Sequence, residues 1–302
     1  MVFLLHIYTS YDKIYKYKFN ACENTICKEK LEGNYMLIDF HSHIFPDKIA
    51  PAAIRSLSDS IVRYQNVRYR HYTRGTLGSV LSSMERNKVD MSVILPIATK
   101  PTQTETINAF AKNLRSDKIV SFGSLHPQQD DWESVLESLA QDGFKGIKLH
   151  PEYQSFFVDS PRSIAILKKA EELGLYVTLH TGFDYGMPEP AHCQPDRLKN
   201  ALEYVSGKYI IAAHLGAFAN WDEVEKHLVG TPINFDTAFI SKFISPEQCK
   251  RIITNHGADK VLFGSDSPWH TPGTEYDFIC SLGLSEDENE LIFYKNALKI
   301  LK

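Results

Sequence analysis

The amino-acid sequence predicts an α/β protein with the fold of a (β/α)8 barrel. From residue 36 onward, short runs of apolar and β-branched residues alternate with longer helical patterns, which is typical of βα units around a parallel sheet. Polar residues recur at the carboxyl end of almost every strand candidate, and no GxGxxG follows the first. Because the active site of a barrel lies at that rim, these observations favour the closed barrel over an open doubly wound sheet.

The individual elements follow from hydrophobic period and capping residues. Ser160-Pro161 and Pro195-Asp196 are typical helix starts, and Gly174 and Gly257 are typical helix ends. Strands are expected at Leu37–His41, Met91–Leu95, Ile119–Gly123, Gly146–Leu149, Tyr176–His180, Tyr209–Ala213, Ile233–Phe235 and Lys260–Gly264. Helices are expected at Thr76–Asn87, Thr104–Leu114, Asp131–Gln141, Ser163–Leu173, Asp196–Val205, Trp221–Leu228 and Pro246–His256.

The chain of 302 residues is long enough for one barrel, which needs roughly 250 residues. We therefore assign residues 36–302 to a single barrel domain. Residues 1–35 are rich in Tyr and Lys and show no sustained period. They are either a poorly ordered extension or lie before the true translation start at Met36, and composition favours the second interpretation.

Charge and hydropathy exclude several classes of function. The net charge of −4 and the pI near 6.3 argue against a general nucleic-acid-binding surface. No run of eighteen apolar residues is present, so a membrane span is not expected. The start MVFLLHIYTS lacks the basic region and cleavage site of a secretory signal. The five cysteines are scattered without CxxC spacing, so a reducing cytoplasm is the simplest location.

The strongest local feature is Asp39-Phe40-His41-Ser42-His43, which directly follows an apolar run. Side chains two residues apart on a strand share a face, so His41 and His43 can both point into the mouth of the barrel. Asp39 has the same parity and is expected to support the site rather than to bind metal. Two neighbouring imidazoles are what a Zn²⁺-like ion needs as first ligands.

Three further strands end in residues that bind metals. His180 ends the fifth strand, His214 ends the sixth and Asp266 follows the eighth. Any one of them has an ordinary structural explanation, but four histidines and an aspartate at four strand ends predict a metal site at this rim. Asp236, after the seventh strand, could hydrogen-bond to a ligand imidazole or cap the next turn.

The motifs DFHSH, GIKLHP, LHTG, AAHLG and FGSDSPW occur in this order from residue 36 to the C-terminus. As a set they resemble the amidohydrolase superfamily, specifically its amidohydrolase-related (amidohydrolase 2) branch of TIM-barrel metal-dependent hydrolases. Residue by residue, the resemblance implies that His41, His43, His180 and Asp266 bind one divalent ion. It also implies that His214 contacts substrate or the reactive water, and that Asp266 shuttles a proton.

Zinc suits three imidazoles and one carboxylate, although Mn²⁺, Fe²⁺ or Co²⁺ would also bind. Two-metal relatives carry a carboxylated lysine near the position of Lys148, but the branch resembled here generally uses one metal. Lys148 is therefore expected to contact substrate or to be structural. His150, which shares strand parity with Lys148, and Tyr185, in the loop after the fifth strand, are the other residues expected to contact substrate. Three arginines, Arg68, Arg70 and Arg74, could meet a substrate carboxylate.

These features predict a metal-dependent hydrolase that acts on a small amide, lactone or related acid. Non-oxidative decarboxylation is the alternative within the same branch. Thr181-Gly182 follows the fifth-strand histidine, where the decarboxylases often have proline and an aromatic residue, and this favours hydrolysis. A barrel that binds metal or ligand without turnover is the third hypothesis. The expected partner is a small-molecule substrate, and a homodimer is possible because superfamily members are often dimers.

Overall fold

The computed structural model describes residues 36–302, so the expectations for residues 1–35 lie outside the described residues. The described strands are β1 (Ile38–Ser42), β2 (Met91–Ile94), β3 (Ile119–Ser121), β4 (Gly123–Ser124), β5 (Gly146–Leu149), β6 (Tyr176–Leu179), β7 (Ile210–Ala212), β8 (Asn234–Asp236) and β9 (Val261–Leu262). Each of the eight predicted strands overlaps an observed one. The third appears as two segments, β3 and β4, interrupted at Phe122.

All paired strands are parallel and follow one another in chain order, from β1 to β3 and from β4 to β9. The Phe122 N–H donates to the Ile94 carbonyl at 2.9 Å and so connects the third strand to β2. The ring continues from the last strand to the first, because the Phe40 N–H donates to the Phe263 carbonyl at 2.8 Å and the His43 N–H to the Ser267 carbonyl at 2.7 Å. The predicted TIM barrel is confirmed.

Helices fill the connections between strands, as βα units require. They are α1 (Ala50–Gln65), α2 (Leu77–Asn87), α3 (Thr104–Leu114), α4 (Trp132–Gln141), α5 (Pro161–Glu172), α6 (Pro195–Ala201), α7 (Trp221–His227), α8 (Pro246–His256), α9 (Pro272–Ser281), α10 (Glu286–Glu290) and α11 (Asn296–Leu301), with a π-helix at Leu291–Lys295. Among the described helices, none is long and apolar enough to cross a membrane.

Local sequence explains where several helices begin. Ser160 accepts a hydrogen bond from the Ser163 N–H at the start of α5, and Ser245 accepts one from the Gln248 N–H at the start of α8. In both helices proline occupies the first turn, where its missing N–H costs nothing. The sequence did not predict α1, which lacks a capping side chain at Ile49, nor the helices after residue 271.

The hydrophobic core has two parts. A large cluster fills the space between the strands and the surrounding helices. A smaller cluster includes Phe40 of β1 and Ile211 of β7, which are not neighbours in the sheet, and therefore lies within the barrel. It also includes Ala297 and Ile300 of α11. The polar strand ends described below are thus held by a rigid apolar base.

A buried histidine makes the stability of this fold depend on pH. His256 stacks on Phe235 with 3.9 Å between ring centres, and its Nε2–H donates to the Ile233 carbonyl at 2.9 Å. Burial lowers the pKa of His256 to about 4. The unfolded chain, with a histidine pKa near 6.5, therefore binds the proton more readily, so His256 stabilises the fold above about pH 6.5 and this contribution is lost as pH falls towards 4.

We expect the free energy of unfolding to fall between pH 7 and pH 5 by about 2 kcal/mol more in the natural protein than in a His256→Gln variant. Urea unfolding of both proteins at the two pH values measures this difference. Equal losses in the two proteins would contradict the assignment, because glutamine does not titrate.

Candidate metal centre

His41 and His43 turn their Nε2 atoms towards each other at the carboxyl end of β1. The two Nε2 atoms lie 3.2 Å apart. The His43 Nδ1–H donates to the Leu95 carbonyl and the His41 Nδ1–H donates to the Asp236 carboxylate, both at 2.8 Å. A neutral imidazole carries one proton, so both Nε2 atoms keep a free lone pair.

His180 and His214 form a second facing pair. The His214 Nδ1–H donates to the Ala238 carbonyl at 2.8 Å, and the His180 Nε2–H donates to the Phe183 carbonyl at 3.2 Å. The nitrogens left unprotonated, His214 Nε2 and His180 Nδ1, lie 3.1 Å apart. The rings of His41 and His214 have centres 5.4 Å apart, which brings the two pairs together.

Asp266 adds a carboxylate to the first pair. Its Oδ1 lies 3.1 Å from His43 Nε2 and 3.6 Å from His41 Nε2. His41, His43 and Asp266 each offer a ligand atom, and these atoms lie within 4.8 Å of one another. His180 is not part of this group. Its Nδ1 faces His214 Nε2, and the His214 ring lies beside that of His41.

Five acceptor atoms thus converge at the rim: the four unprotonated nitrogens and the Asp266 oxygen. Lys148 lies beside these atoms, with its Nζ 3.4 Å from His41 Nε2. Facing lone pairs repel each other, whereas a divalent cation would satisfy them. Histidines that bind metals usually donate their other N–H to a carbonyl or carboxylate, as all four do here. The donor set therefore fits a metal ion.

The sequence allowed two interpretations of Asp236, a hydrogen bond to a ligand imidazole or a cap on the next turn, and the structure contains both contacts. Its Oδ2 accepts from His41, while its Oδ1 accepts from the backbone N–H groups of His214 at 2.9 Å and Ala238 at 3.0 Å. This one carboxylate therefore orients a side chain of the first pair and the backbone of the second.

The Asp39 carboxylate is hydrogen-bonded to other side chains of the protein. Its carboxylate accepts from the Ser265 hydroxyl at 2.6 Å and the Ser42 hydroxyl at 2.9 Å. Burial raises the pKa of Asp39 to about 6. These contacts join β1 to the segment that carries Asp266.

The backbone of the site is strained. His214 and Asp266 adopt the left-handed conformation, with φ of 58° and 60°. Non-glycine residues in this region cost free energy and persist where the surrounding structure holds them, often at functional sites.

A second group consists of His150, His180 and Asp184. The His150 ring stacks between Tyr153 and His180, with ring centres 3.7 and 4.1 Å away, and its Nε2 lies 3.4 Å from Asp184 Oδ2. His180 presents Nε2 to this group, and that nitrogen carries the proton donated to Phe183. We therefore interpret this group as residues that support His180, not as a separate metal site.

Burial determines the charge of the side chains around the centre. It lowers the pKa of His41, His150 and His180 well below the usual value, so these rings are neutral at pH 7. Burial also lowers the pKa of Lys148 to about 8. Lys148 therefore keeps a substantial fraction of its charge at neutral pH.

The five central residues lie at the floor of a cavity of about 580 Å³. The three residues expected to contact substrate, Lys148, His150 and Tyr185, all line it. The predicted arginines do not: Arg68, Arg70 and Arg74 are exposed and are absent from its lining.

Sequence reasoning missed other residues of the cavity. Asp184 and Phe218 line it and lie two residues after the LHTG and AAHLG motifs, so the motifs marked their neighbourhood but not these side chains. One signal was available: Ile49, Ala53, Leu57 and Ile61 recur every four residues, which is the period of a helix face. All four line the cavity.

The profile of the amidohydrolase family matches residues 38–302. No curated protein matches the chain. Several solved structures share its fold. The 5-carboxyvanillate decarboxylase of Sphingomonas paucimobilis has 16% identity and a TM-score of 0.63, with 89% of this chain and 99% of that chain covered.

Two other neighbours differ in their reactions. A probable 2-pyrone-4,6-dicarboxylic acid hydrolase of Acinetobacter baumannii has 15% identity and a TM-score of 0.60, over 88% of this chain and 98% of that chain. A 5-carboxyvanillate decarboxylase of Novosphingobium aromaticivorans, solved with bound manganese, has 13% identity and a TM-score of 0.62, over 89% and 98%. Since the family profile covers almost every described residue, the chain belongs to the amidohydrolase family and is an enzyme of that superfamily.

Proposed function

We propose that this enzyme is a metal-dependent hydrolase that attacks the carbonyl group of an amide, a lactone or a related small molecule with water. One observation carries the proposal: four imidazoles each donate one N–H to a fixed acceptor and turn the other, unprotonated nitrogen to a common place beside a carboxylate. In the proposed centre His41, His43, His180 and Asp266 hold one ion. Three imidazoles and a carboxylate suit zinc.

When bound, such an ion acts as a Lewis acid and lowers the pKa of a water molecule to about 7. Asp266 would accept the proton of the attacking water and return it to the leaving group. Its Oδ1 lies 3.1 Å from His43 Nε2, which places the carboxylate beside a proposed ligand of the ion.

The hydrogen bond of His214 limits what this residue can do. Because its Nδ1–H donates to the Ala238 carbonyl, neutral His214 has only an acceptor to offer at Nε2. It therefore orients the attacking water rather than donating to the developing oxyanion. Lys148 is the better donor, since its ammonium group lies at the same floor and can stabilise negative charge on the carbonyl oxygen.

The cytoplasmic location is part of the proposal. It is supported by Cys193 and Cys249, which are buried and form no disulfide in the described part of the chain. Decarboxylation on the same residues is the competing reaction. A panel of lactones, amides and hydroxybenzoic acids, assayed for ring opening, amine release and CO₂ release, separates the two: CO₂ release without hydrolysis would overturn the proposal.

The metal is tested by elemental analysis. We expect the purified protein to contain about one zinc per chain and a His43→Asn variant to retain less than about a tenth of it, because loss of one ligand removes a large part of the binding free energy. His71→Asn is the matched control, since His71 is exposed and lies outside the cavity lining. Equal zinc in His43→Asn and the natural protein would contradict the proposed centre.

A further inference from the structure

We propose that the substrate carries, besides its carbonyl group, an uncharged apolar portion such as an alkyl chain or a hydrocarbon ring. This inference rests on the proposed function, because it places the reacting carbonyl at the floor of the cavity. The apolar portion would fill the space between the floor and the opening. The two helices over the floor and the distribution of charge in the cavity lining support this inference.

The first wall is the apolar face of α1. Ile49, just before the helix, and Ala53, Leu57 and Ile61 within it line the cavity. In α1 the buried residues are Ala50 and Ile54, so this second apolar stripe is turned to the cavity instead of the core. Ile49 is 53% exposed, which carries the apolar wall out to the solvent.

The other walls are also largely apolar. Thr106, Ile107 and Phe110 of α3 line the cavity. The rest of the apolar lining comes mainly from strand ends and loops. It includes Ile44, Phe45, Leu95, Pro96, Ile97, Phe183, Phe218, Phe239 and Trp269. A surface of this kind gains free energy when it is covered by apolar groups rather than water.

The charges of the lining argue against an anionic group away from the floor. Among the described residues of the lining, Lys148 is the one lysine and arginine is absent, whereas Asp184 and Asp266 are both present. Lys148 lies beside His41 at the floor. A carboxylate placed between α1 and α3 would lose its water without gaining a counter-ion, which is strongly unfavourable.

The test uses γ-lactones with straight alkyl substituents from methyl to octyl, and one octyl-length lactone that ends in a carboxylate. Binding is measured on the metal-free protein by displacement of Nile red, a neutral apolar dye. We expect about fourfold tighter binding per added methylene until the cavity is filled. The terminal carboxylate should weaken binding about 100-fold against the uncharged lactone of equal length.

Two leucine-to-arginine variants locate the effect. Leu57→Arg places a cation on the α1 wall, so it should weaken binding of octyl lactone at least about tenfold and strengthen binding of the carboxylate-ended lactone. Leu81→Arg is the control, because Leu81 of α2 is 37% exposed and outside the lining, and it should leave both affinities unchanged. Circular dichroism confirms folding, and the length series on the natural protein stands if Leu57→Arg does not fold.

Each result separates this inference from the proposed function. Affinity that does not depend on chain length, or equal binding of charged and uncharged lactones, overturns the inference. Length-dependent binding with neither ring opening of a lactone nor amine release from an amide by the zinc-loaded protein overturns the proposed function and leaves the inference standing. Ring opening of short, charged lactones with no effect of chain length on affinity overturns the inference and leaves the proposed function standing.

Discussion

The kcat/KM of a zinc-loaded Asp266→Asn variant should be about 10²- to 10⁴-fold lower than that of the natural enzyme. Asparagine has nearly the same shape as aspartate but cannot take up a proton at the side chain. In the natural protein Asp266 Oδ1 lies 3.1 Å from His43 Nε2, where it can both bind the ion and accept the proton. The measurement is kcat/KM on a lactone that the natural enzyme opens, at saturating zinc.

Zinc content must be measured on the same samples, because Asp266 is a proposed ligand as well as the proposed proton acceptor. A variant that keeps its zinc but loses its activity identifies the proton transfer, and one that loses both identifies the ligand. Asp277→Asn is the control, since Asp277 is exposed on α9. Full activity in zinc-loaded Asp266→Asn would show that another group accepts the proton.

The position of the proposed centre could be predicted from the sequence because a barrel gathers its strand ends at one rim. His41, His180, His214 and Asp266 stand at or just after observed strands, and apolar runs made those strands visible. The helices α3 and α8 were predicted to the residue, since both have a clear amphipathic period. In each case the signal lies within a few consecutive residues.

The remainder of the site depends on contacts between distant residues. Asp184 meets His150 across a loop, and the lone-pair directions of the histidines depend on carbonyls such as that of Ala238. Neither kind of contact leaves a periodic pattern in the sequence. Helix α1 was not predicted, for a different reason. It buries little against the core and turns its second apolar stripe to the cavity. Its four-residue period was therefore visible in the sequence but was not the pattern of a helix packed on a core.

The Asp236→Asn variant should bind zinc about 10- to 100-fold more weakly than the natural protein. Asp236 accepts three hydrogen bonds: Oδ2 from His41 Nδ1–H, and Oδ1 from two backbone N–H groups, those of His214 and Ala238. Asparagine offers one oxygen and one NH₂ group. If its oxygen serves the backbone, its NH₂ faces His41 Nδ1, and the ring must move its proton to Nε2.

A proton on His41 Nε2 occupies the lone pair that faces His43, so His41 can no longer bind the ion. The other rotamer of asparagine keeps the tautomer of His41 but points NH₂ at two backbone donors. These donors hold His214 in its left-handed conformation, so this arrangement weakens the second histidine pair instead. Both rotamers therefore impair the centre. Competition with a zinc-binding dye measures the affinity, Asp277→Asn serves again as control, and an unchanged affinity in Asp236→Asn would mean that His41 does not bind zinc through Nε2.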